Sequence, residues 1–192
     1  MPSYWIYGFH AVFYATFLSR LLMRAPRPAP APAEREVATA RFSRALLGVH
    51  AFAMFVLYLG IGAAVSGRYR HTLFPPQPAA GAAVMLAATV LVVSTLAVFA
   101  SWRLRAKVEA DHELSTSGPF RLVRNPIYLA MDILAAGTLL WIPNPIVLAG
   151  MLLVFLSGDL RARAEERVLL AAFGDRYREY AARVKRFVPG VY

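Results

Sequence analysis

The stretch AGAAVMLAATVLVVSTLAVFASW, residues 80–102, contains 23 residues and no charged side chain. An α-helix needs about 20 consecutive apolar residues to cross the hydrocarbon core of a bilayer, which is roughly 30 Å thick. This stretch therefore predicts a membrane span. The composition of the whole chain agrees, because 58% of its 192 residues are hydrophobic and its mean hydropathy is +0.49. The sequence indicates an integral membrane protein.

Four further apolar blocks predict helices on either side of this stretch: Tyr4–Met23, Leu46–Ser66, Pro126–Ile142 and Pro145–Leu156. The last two blocks are short, and Pro143 and Pro145 separate them. Two prolines so close together cannot lie within one continuous helix, so these blocks predict a helical hairpin. The predicted fold is an all-α integral membrane protein with about five transmembrane helices, the last two forming a short hairpin broken by proline.

The chain after Asp159 has a different pattern. Apolar and aromatic residues recur there at steps of three or four, which is typical of one face of a helix, and Gly174 interrupts the pattern. We expect amphipathic helices that lie along the cytoplasmic membrane surface. The chain is then one membrane domain. Residues 1–102 hold three spans and a proline-rich cytoplasmic loop at 24–45, and residues 103–192 form a C-terminal core.

The distribution of positive charge predicts the orientation in the membrane. Of the 21 Lys and Arg residues, 5 lie at 24–44, 5 at 103–124 and 8 at 161–186, whereas the loop 67–78 holds 2 and the hairpin turn none. Cytoplasmic loops carry the excess of Lys and Arg, so we expect the N-terminus outside and the C-terminal tail in the cytoplasm.

The same charges exclude one class of partner. A net charge of +10 spread in this way favours contact with anionic lipid headgroups over the binding of nucleic acid. The large excess of Arg over Lys indicates a GC-rich bacterial source, and hence a bacterial inner membrane. The chain contains no cysteine, which excludes disulfides, zinc–thiolate sites and a cysteine nucleophile.

Polar residues near the predicted cytoplasmic face are the functional candidates, and each also has a structural interpretation. His112 is compatible with a solvated loop residue, Arg124 with a headgroup contact, and Glu165-Glu166 with ion pairs along a helix. Asp132 differs, because an ionisable residue inside a span is a functional candidate by default. Its structural alternative is an ion pair with Arg124 near the end of the span.

The order of these residues resembles a known pattern. The chain reads His112-x-Leu114-x-x-x-Gly118-x-Phe120-x-x-x-Arg124-Asn125-Pro126-x-Tyr128, and then Glu165-Glu166, Phe173-Gly174-x-x-Tyr177-x-x-Tyr180 and Phe187-x-Pro189. This order resembles the core of the isoprenylcysteine carboxyl methyltransferase family and its phospholipid methyltransferase relatives. The resemblance covers His112 to Pro189, roughly the C-terminal half.

Two residues depart from the family pattern. Asn125 stands where the family usually has His, and Ala130 stands where it usually has Gly. An asparagine side chain donates and accepts hydrogen bonds but does not titrate. A hydrogen-bonding role therefore survives at position 125, whereas an acid or base role does not. The extra methyl group of Ala130 puts close approach of a cofactor at that position in doubt.

The resemblance implies a methyltransferase that uses S-adenosylmethionine and acts on a lipid-soluble or lipid-linked acceptor at the cytoplasmic membrane face. Its cofactor would be held in the C-terminal core, residues 103–192. The cofactor-binding residues that the resemblance implies are His112, Leu114, Gly118, Phe120, Arg124, Asn125, Pro126, Tyr128, Leu129, Glu165, Glu166 and Tyr177. The catalytic candidates are Arg124, Asn125 and Asp132.

The chemistry of S-adenosylmethionine fits such a set. Glu165 and Glu166 can pair with its ammonium group, and Arg124, His112 or backbone N–H groups of the Gly118 turn can hold its carboxylate. Aromatic rings attract a sulfonium through cation–π interaction. Methyl transfer by direct displacement needs alignment more than a metal ion, and none is implied. Membrane lipids and a lipophilic acceptor are the expected partners, with the identity of the acceptor and the oligomeric state left open.

Two other functions remain open from the sequence. Membrane sterol reductases share a related C-terminal core and often end in Pro-Gly-x-Tyr, as Pro189-Gly190-Val191-Tyr192 does here, and they would bind NADPH. A membrane scaffold or small transporter would use the same polar residues for structure alone. Binding of S-adenosylmethionine, of NADPH or of neither discriminates among the three.

Overall fold

A computed structural model describes residues 3–23, 34–98 and 114–192, with side chains in 3–19, 45–98 and 114–192. Within these ranges the chain forms six α-helices: α1 Trp5–Met23, α2 Glu34–Val65, α3 Pro78–Val98, α4 Pro126–Trp141, α5 Pro145–Phe173 and α6 Asp175–Arg183. A short 3-10 helix, Gly118–Arg121, precedes α4. The described residues contain no strand, only an isolated parallel bridge between Val123 and Lys185. The all-α prediction is confirmed.

Three of these helices can cross a membrane by length and composition. They are the segment Ala45–Val65 of α2, together with α3 and α5. Helix α4 is apolar but has only 16 residues, about 24 Å at 1.5 Å per residue. Helix α1 coincides with the first predicted span but is not among the three. A membrane protein is therefore confirmed, while the count of five spans stays a prediction.

Helix α2 begins earlier than the sequence analysis expected. It starts at Glu34, inside the segment 24–45 that was predicted to be a loop. The segment EREVATARFSRALL that opens it contains no proline or glycine, and most of its residues favour a helix. The prolines end at residue 32, so the helix begins as soon as they allow it.

Pro143 and Pro145 break the chain between α4 and α5, as predicted. Asn144 between them is buried and caps α5, because its Oδ1 accepts a hydrogen bond from the backbone N–H of Val147 at 2.8 Å. Its Nδ2 donates to the main-chain oxygen of Gly60 at 3.1 Å. One side chain therefore starts α5 and fastens the hairpin turn to α2.

Helix α5 continues far beyond the apolar block that predicted it. The expected end near Asp159 is wrong, because one helix runs from Pro145 to Phe173 and only α6 is separate. Two ion pairs four residues apart, Asp159–Arg163 and Arg161–Glu165, support the polar part of this helix. The predicted amphipathic helices along the membrane surface are thus reduced to α6, whose position on a membrane stays a prediction.

Glycines let the helices approach closely. A Cβ atom at Gly81 of α3 would lie 2.7 Å from the main-chain oxygen of Gly137 in α4, and one at Gly150 of α5 would lie 2.5 Å from Cα of Leu57 in α2. Water cannot drive association between helices surrounded by lipid, so close packing at small residues is the main source of contact. The bundle is accordingly built from the pairs α3–α4 and α2–α5, with α1 against α3.

A buried polar contact joins α1 to the bundle. Thr138 donates its hydroxyl proton to Leu134 O at 2.8 Å, so its oxygen accepts from Nε2 of His10 at 2.9 Å. Nδ1 of His10 then accepts from the hydroxyl of Tyr58, also at 2.9 Å. The histidine is neutral in this arrangement and connects α1 to α2 and α4.

The bundle has two different ends. The loop after α2 rests on the hairpin turn, through hydrogen bonds from Leu73 N to Pro143 O and from Gln77 N to Leu140 O. At the other end of α4, Arg124 N and Asn125 N donate to Lys185 O and Arg186 O. The second end therefore collects the residues before α4, the polar half of α5 and the C-terminal segment.

Candidate functional site

The 3-10 helix Gly118–Arg121 forms one wall of this second end. Gly118 has φ +56°, a left-handed conformation that favours glycine, and a Cβ atom there would make a tight contact of 3.0 Å with the side chain of Val98. Phe120 is buried, and its main-chain oxygen accepts a hydrogen bond from the hydroxyl of Tyr180 at 2.7 Å. This contact fixes α6 against the segment that leads into α4.

Glu166 lies at the centre of a buried charge network. Its carboxylate accepts from Nε and Nη2 of Arg124 at 3.2 and 3.3 Å, from Nδ2 of Asn125 at 2.8 Å, and from Nε and Nη2 of Arg186 at 3.1 and 2.8 Å. The side chains of Glu166, Arg124 and Arg186 are only 11–16% exposed. The hydrogen bonds that Arg186 donates to Glu166 raise the pKa of Arg186 above its ordinary value. Glu166 therefore joins α5 to both segments of the β-bridge.

Arg124 donates hydrogen bonds to side-chain and main-chain groups of the protein. Besides Glu166, it donates from Nη1 to the main-chain oxygens of Ala181 and Val184 at 3.0 and 2.6 Å. These carbonyls lie in the last turn of α6 and directly after it. Arg124 thus caps the end of α6, and a contact of Arg124 with a ligand carboxylate stays a prediction.

Glu165 points in another direction from its neighbour. Its Oε1 accepts from the hydroxyl of Tyr128 at 2.5 Å and lies 3.6 Å from Nη2 of Arg161. Arg161 also donates to the Tyr128 hydroxyl at 2.9 Å and places its guanidinium 5.6 Å from the ring centre. The Glu165 side chain is 35% exposed, and within the described residues no hydrogen bond reaches its Oε2. Glu165 therefore keeps one carboxylate oxygen for a ligand.

Tyr177 of α6 offers a second unused polar atom. Its ring is buried 6.1 Å from that of Tyr180, and within the part of the chain that the structure describes its hydroxyl has no hydrogen-bond partner. Burial, and then the charge of Glu166, raise the pKa of Tyr177, so the group is a neutral donor. A buried hydroxyl without a partner is costly and is suited to a ligand.

Asp132 lies one helical turn beyond Tyr128 on α4. Its Oδ1 is buried without a hydrogen-bond partner among the described residues, and it lies 3.9 Å from the Cβ position of Gly158. The structural alternative in which Asp132 pairs with Arg124 is not observed, since Arg124 binds Glu166 and α6. Asp132 is the acidic side chain of α4, and it lies one turn farther from the start of the helix than Tyr128.

The remaining predicted residues mainly pack against neighbouring side chains, except for one that lies outside the residues that the structure describes. Leu114 is half-buried ahead of the 3-10 helix, and Pro126 is buried at the first position of α4. Leu129 packs against the cluster of Tyr128, Ala162 and Phe187. His112 lies outside the described residues. The structure thus brings together Phe120, Arg124, Asn125, Tyr128, Glu165, Glu166 and Tyr177.

Two members of the site were not among the predicted site residues. Arg161 and Arg186 had been assigned to a basic surface, whereas both are largely buried against carboxylates. The spacing of four residues between Arg161 and Glu165 was a usable signal in the sequence. No local signal places Arg186 beside Glu166, because that contact depends on the long-range bridge between Val123 and Lys185.

An apolar groove of about 570 Å³ begins beside this site. Six residues of α3 between Ala83 and Ser94 form its floor, and Gly118, Pro119 and Leu122 form its upper edge. Leu86, Val90 and Leu122, which line the groove, are each more than half exposed. Since α3 is a candidate membrane span, the groove opens towards hydrocarbon and suits an apolar chain.

Comparison with known proteins gives a consistent result. Residues 76–176, just over half of the chain, match the model of the family described as phospholipid methyltransferase. A probable protein-S-isoprenylcysteine O-methyltransferase of Oryza sativa subsp. indica is 35% identical over 104 residues, which cover 51% of this chain and 54% of that protein. Protein-S-isoprenylcysteine O-methyltransferase B of Arabidopsis thaliana is 35% identical over 89 residues, covering 46% and 45%. The chain spans about half the length of the curated relatives it matches.

Proposed function

Because the chain belongs to the phospholipid methyltransferase family, we propose that it is a membrane methyltransferase that uses S-adenosylmethionine and acts on a lipid-soluble acceptor. The family assignment confirms the resemblance seen in the sequence. The cofactor, the substrate and the side of the membrane are parts of the proposal.

The observation that carries the proposal is the state of Glu165. It is a carboxylate with one oxygen fixed by Tyr128 and the other without a partner in the described residues, one-third exposed beside an apolar bundle. The apolar bundle on one side of this carboxylate strengthens its attraction for a cation, and its exposed side gives a ligand access. S-adenosylmethionine carries two positive groups, an ammonium and a sulfonium. Either positive group can therefore pair with Oε2 of Glu165, the oxygen without a hydrogen-bond partner among the described residues.

The neighbouring residues fit the rest of that molecule. The Tyr177 hydroxyl is a neutral donor that lacks a partner within the described residues, and it suits a carboxylate or a ring nitrogen. The positive φ of Gly118 turns the chain where the backbone approaches the site. Arg124, by contrast, is held by Glu166 and the end of α6, so its role is to position these elements.

Bound S-adenosylmethionine supplies an activated methyl group on sulfur, and the protein contributes alignment and exclusion of water. Tyr128 holds Glu165 in one orientation through a hydrogen bond of 2.5 Å, and Arg161 supports Tyr128 by donating to its hydroxyl at 2.9 Å. Asn125 donates to Glu166 and cannot act as acid or base. An acceptor with an amine or hydroxyl group must lose a proton, and the unpartnered Oδ1 of Asp132 is a carboxylate oxygen suited to receive it.

The acceptor is proposed to be lipophilic. The groove along α3 opens beside the Gly118 turn and is lined almost entirely by apolar side chains, with Ser94 the polar member of its floor. The two plant relatives carry names that specify an isoprenylated cysteine. We propose an acceptor of this general kind, a lipid or a lipid-linked group, whose apolar chain remains in the hydrocarbon.

The orientation is proposed from the charge distribution. The end that holds the site contains the segments 114–125 and 174–192, and the opposite end contains the loop 67–77 and the hairpin turn, which carry only Arg68 and Arg70. The positive-inside rule then puts the site on the cytoplasmic side, where S-adenosylmethionine is made. A bacterial inner membrane remains a prediction, to which the plant relatives add no support.

Equilibrium binding to the purified protein tests the proposal. We expect S-adenosylmethionine and S-adenosylhomocysteine to bind in the micromolar range and NADPH not to bind. Binding of NADPH alone would contradict the proposal in favour of a reductase. Binding of none of the three would favour a scaffold or transporter.

A further inference from the structure

We propose that Tyr192 is a positioning residue for the methyl-donor site, in which its hydroxyl bridges Arg186 and Asp159 and so keeps Arg186 on Glu166. This inference rests on the proposed function and adds to it a residue that lies outside the segment matched by the family, residues 76–176.

A tight turn brings Tyr192 back onto α5. Gly190 has φ +75°, a left-handed conformation that favours glycine, and it reverses the chain after Val188. The main-chain oxygen of Tyr192 accepts from Phe187 N and Val188 N at 2.7 and 2.6 Å, and its N–H donates to Val188 O at 3.0 Å. The ring lies 6.3 Å from the ring of buried Phe187. The position of Tyr192 is thus fixed from both its backbone and its ring.

The Tyr192 hydroxyl uses its full bonding capacity. It donates to Oδ1 of Asp159 at 2.8 Å, and it accepts from Nη2 of Arg163 at 2.6 Å and from Nη1 of Arg186 at 3.0 Å. A phenol has one donor and two acceptor positions, and all three are occupied by charged partners. Hydrogen bonds to charged groups are stronger than those between neutral groups.

Arg186 stands between two carboxylates. Its Nε and Nη2 bind Glu166, whereas its Nη1 lies 3.5 Å from Oδ1 of Asp159, too far for a good hydrogen bond. The Tyr192 hydroxyl satisfies both Nη1 and that carboxylate oxygen, and the ring lies under the guanidinium at 5.4 Å. Without the hydroxyl, Asp159 and Arg186 each lose a hydrogen bond, and the 3.5 Å ion pair between them is free to shorten.

That movement changes the site. Glu166 also holds Arg124 and Asn125, which begin the segment leading into α4, and Arg124 holds the end of α6 that carries Tyr177. An Arg186 drawn towards Asp159 loosens Glu166 and, through it, the placement of Tyr128, Glu165 and Tyr177. Tyr192 therefore acts on the ligand through other residues and makes no contact with it.

The variant Tyr192→Phe removes the hydroxyl and keeps the ring. We expect the Kd for S-adenosylhomocysteine to rise about fivefold, the effect of one hydrogen bond. Tyr58→Phe is the matched control, because it removes a hydroxyl that binds His10 in another part of the bundle. Both variants are expected to melt at lower temperature, but only Tyr192→Phe is expected to bind the ligand more weakly.

A double variant separates positioning from a general loss of structure. Asp159→Asn removes the charge that competes for Arg186, so adding it to Tyr192→Phe is expected to restore part of the affinity. Two independent structural losses would instead add. Unchanged affinity in Tyr192→Phe, or a further loss in the double variant, would overturn the inference.

Arg163→Gln provides a test if Tyr192→Phe does not fold. Its side chain is 46% exposed, and its removal leaves Asp159 to attract Arg186 more strongly, so weaker binding is again expected. Unchanged affinity in this variant would also contradict the inference. A wild-type protein that does not bind S-adenosylhomocysteine overturns the proposed function together with this role of Tyr192. A wild type that binds, with variants that bind equally well, overturns the inference alone.

Discussion

Two adjacent glutamates, Glu165 and Glu166, have different surroundings in this protein. Successive residues of a helix point about 100° apart, so Glu165 and Glu166 face different neighbours. Glu166 accepts five hydrogen bonds from Arg124, Asn125 and Arg186. Glu165 is held through Oε1 alone and is one-third exposed. We assign Glu166 to the structure of the site and Glu165 to the ligand.

Neutralising each glutamate is therefore expected to have a different result. Glu165→Gln should raise the Kd for S-adenosylmethionine about tenfold, since it removes a charge-assisted contact, and should change stability little. Glu166→Gln should lower the free energy of unfolding by about 3 kcal/mol, because it removes the counter-charge that Arg124 and Arg186 share and leaves Arg186 only its longer contact with Asp159. Glu179→Gln, at an exposed position of α6, is the control. Ligand titration and chemical unfolding in detergent distinguish them, and equal behaviour of the two glutamates would contradict the assignment.

The sequence motif predicted several of the residues that the structure brings together. The structure brings Arg124, Asn125, Tyr128 and the glutamate pair together, while their binding of a cofactor stays a prediction. The hydrogen bonds of Arg124 to Glu166 and to the end of α6 were not predictable. They depend on contacts between residues 42 and 60 positions apart, for which no local pattern exists.

At the scale of elements, close helix packing sets the frame of the site. The crossing of α2 and α5 has no room for a side chain at Gly150, where an added Cβ meets the backbone of Leu57. Backbone atoms cannot move aside as a flexible side chain can. The polar half of α5, with both glutamates, is thus held in place by an apolar contact elsewhere on the same helix.

Gly150→Ala is expected to lower the free energy of unfolding by about 1–3 kcal/mol, the usual effect of overpacking. Gly48→Ala is the matched control in α2, since a Cβ atom there meets no other atom within 4 Å. It should be neutral or slightly stabilising, because alanine favours a helix more than glycine does. Thermal unfolding in detergent compares the two. A Gly150→Ala protein as stable as Gly48→Ala would contradict this packing.

The helices were predictable where the sequence contains a barrier or a continuous apolar run. Pro143 and Pro145 predicted the hairpin correctly. The length of α5 was not predicted, because Asp159 is the first charged residue after the apolar block and predicts the end of the span. No proline lies between Leu156 and Phe173, the helix accommodates Gly158, and ion pairs along the helix stabilise its polar part. Polarity alone was therefore a poor guide to where this helix ends.

At the scale of the whole molecule, the two ends of the bundle carry different chemistry. Backbone hydrogen bonds hold the loop after α2 against the hairpin turn, and the charge network occupies the opposite end. The sequence predicted this separation through its uneven distribution of Lys and Arg. The orientation in a membrane follows only from that distribution.

Protease protection tests the orientation. A tag after Tyr192 is expected to survive external protease in sealed right-side-out cells, whereas a tag before Met1 should be removed. Permeabilised cells serve as the control, because both tags should then be cleaved. Cleavage of the C-terminal tag in sealed cells would place the site outside and contradict access to a cytosolic cofactor.

The transfer of a labelled methyl group tests the central claim most directly. Purified protein in lipid vesicles is incubated with S-adenosylmethionine that carries a radioactive methyl group, together with an S-prenylated cysteine or with phospholipid as acceptor. We predict label in the fraction extracted into organic solvent, competition by S-adenosylhomocysteine, and much less label with Glu165→Gln. Extracted label that persists undiminished in Glu165→Gln, or its absence with every acceptor despite a folded protein, would contradict the account.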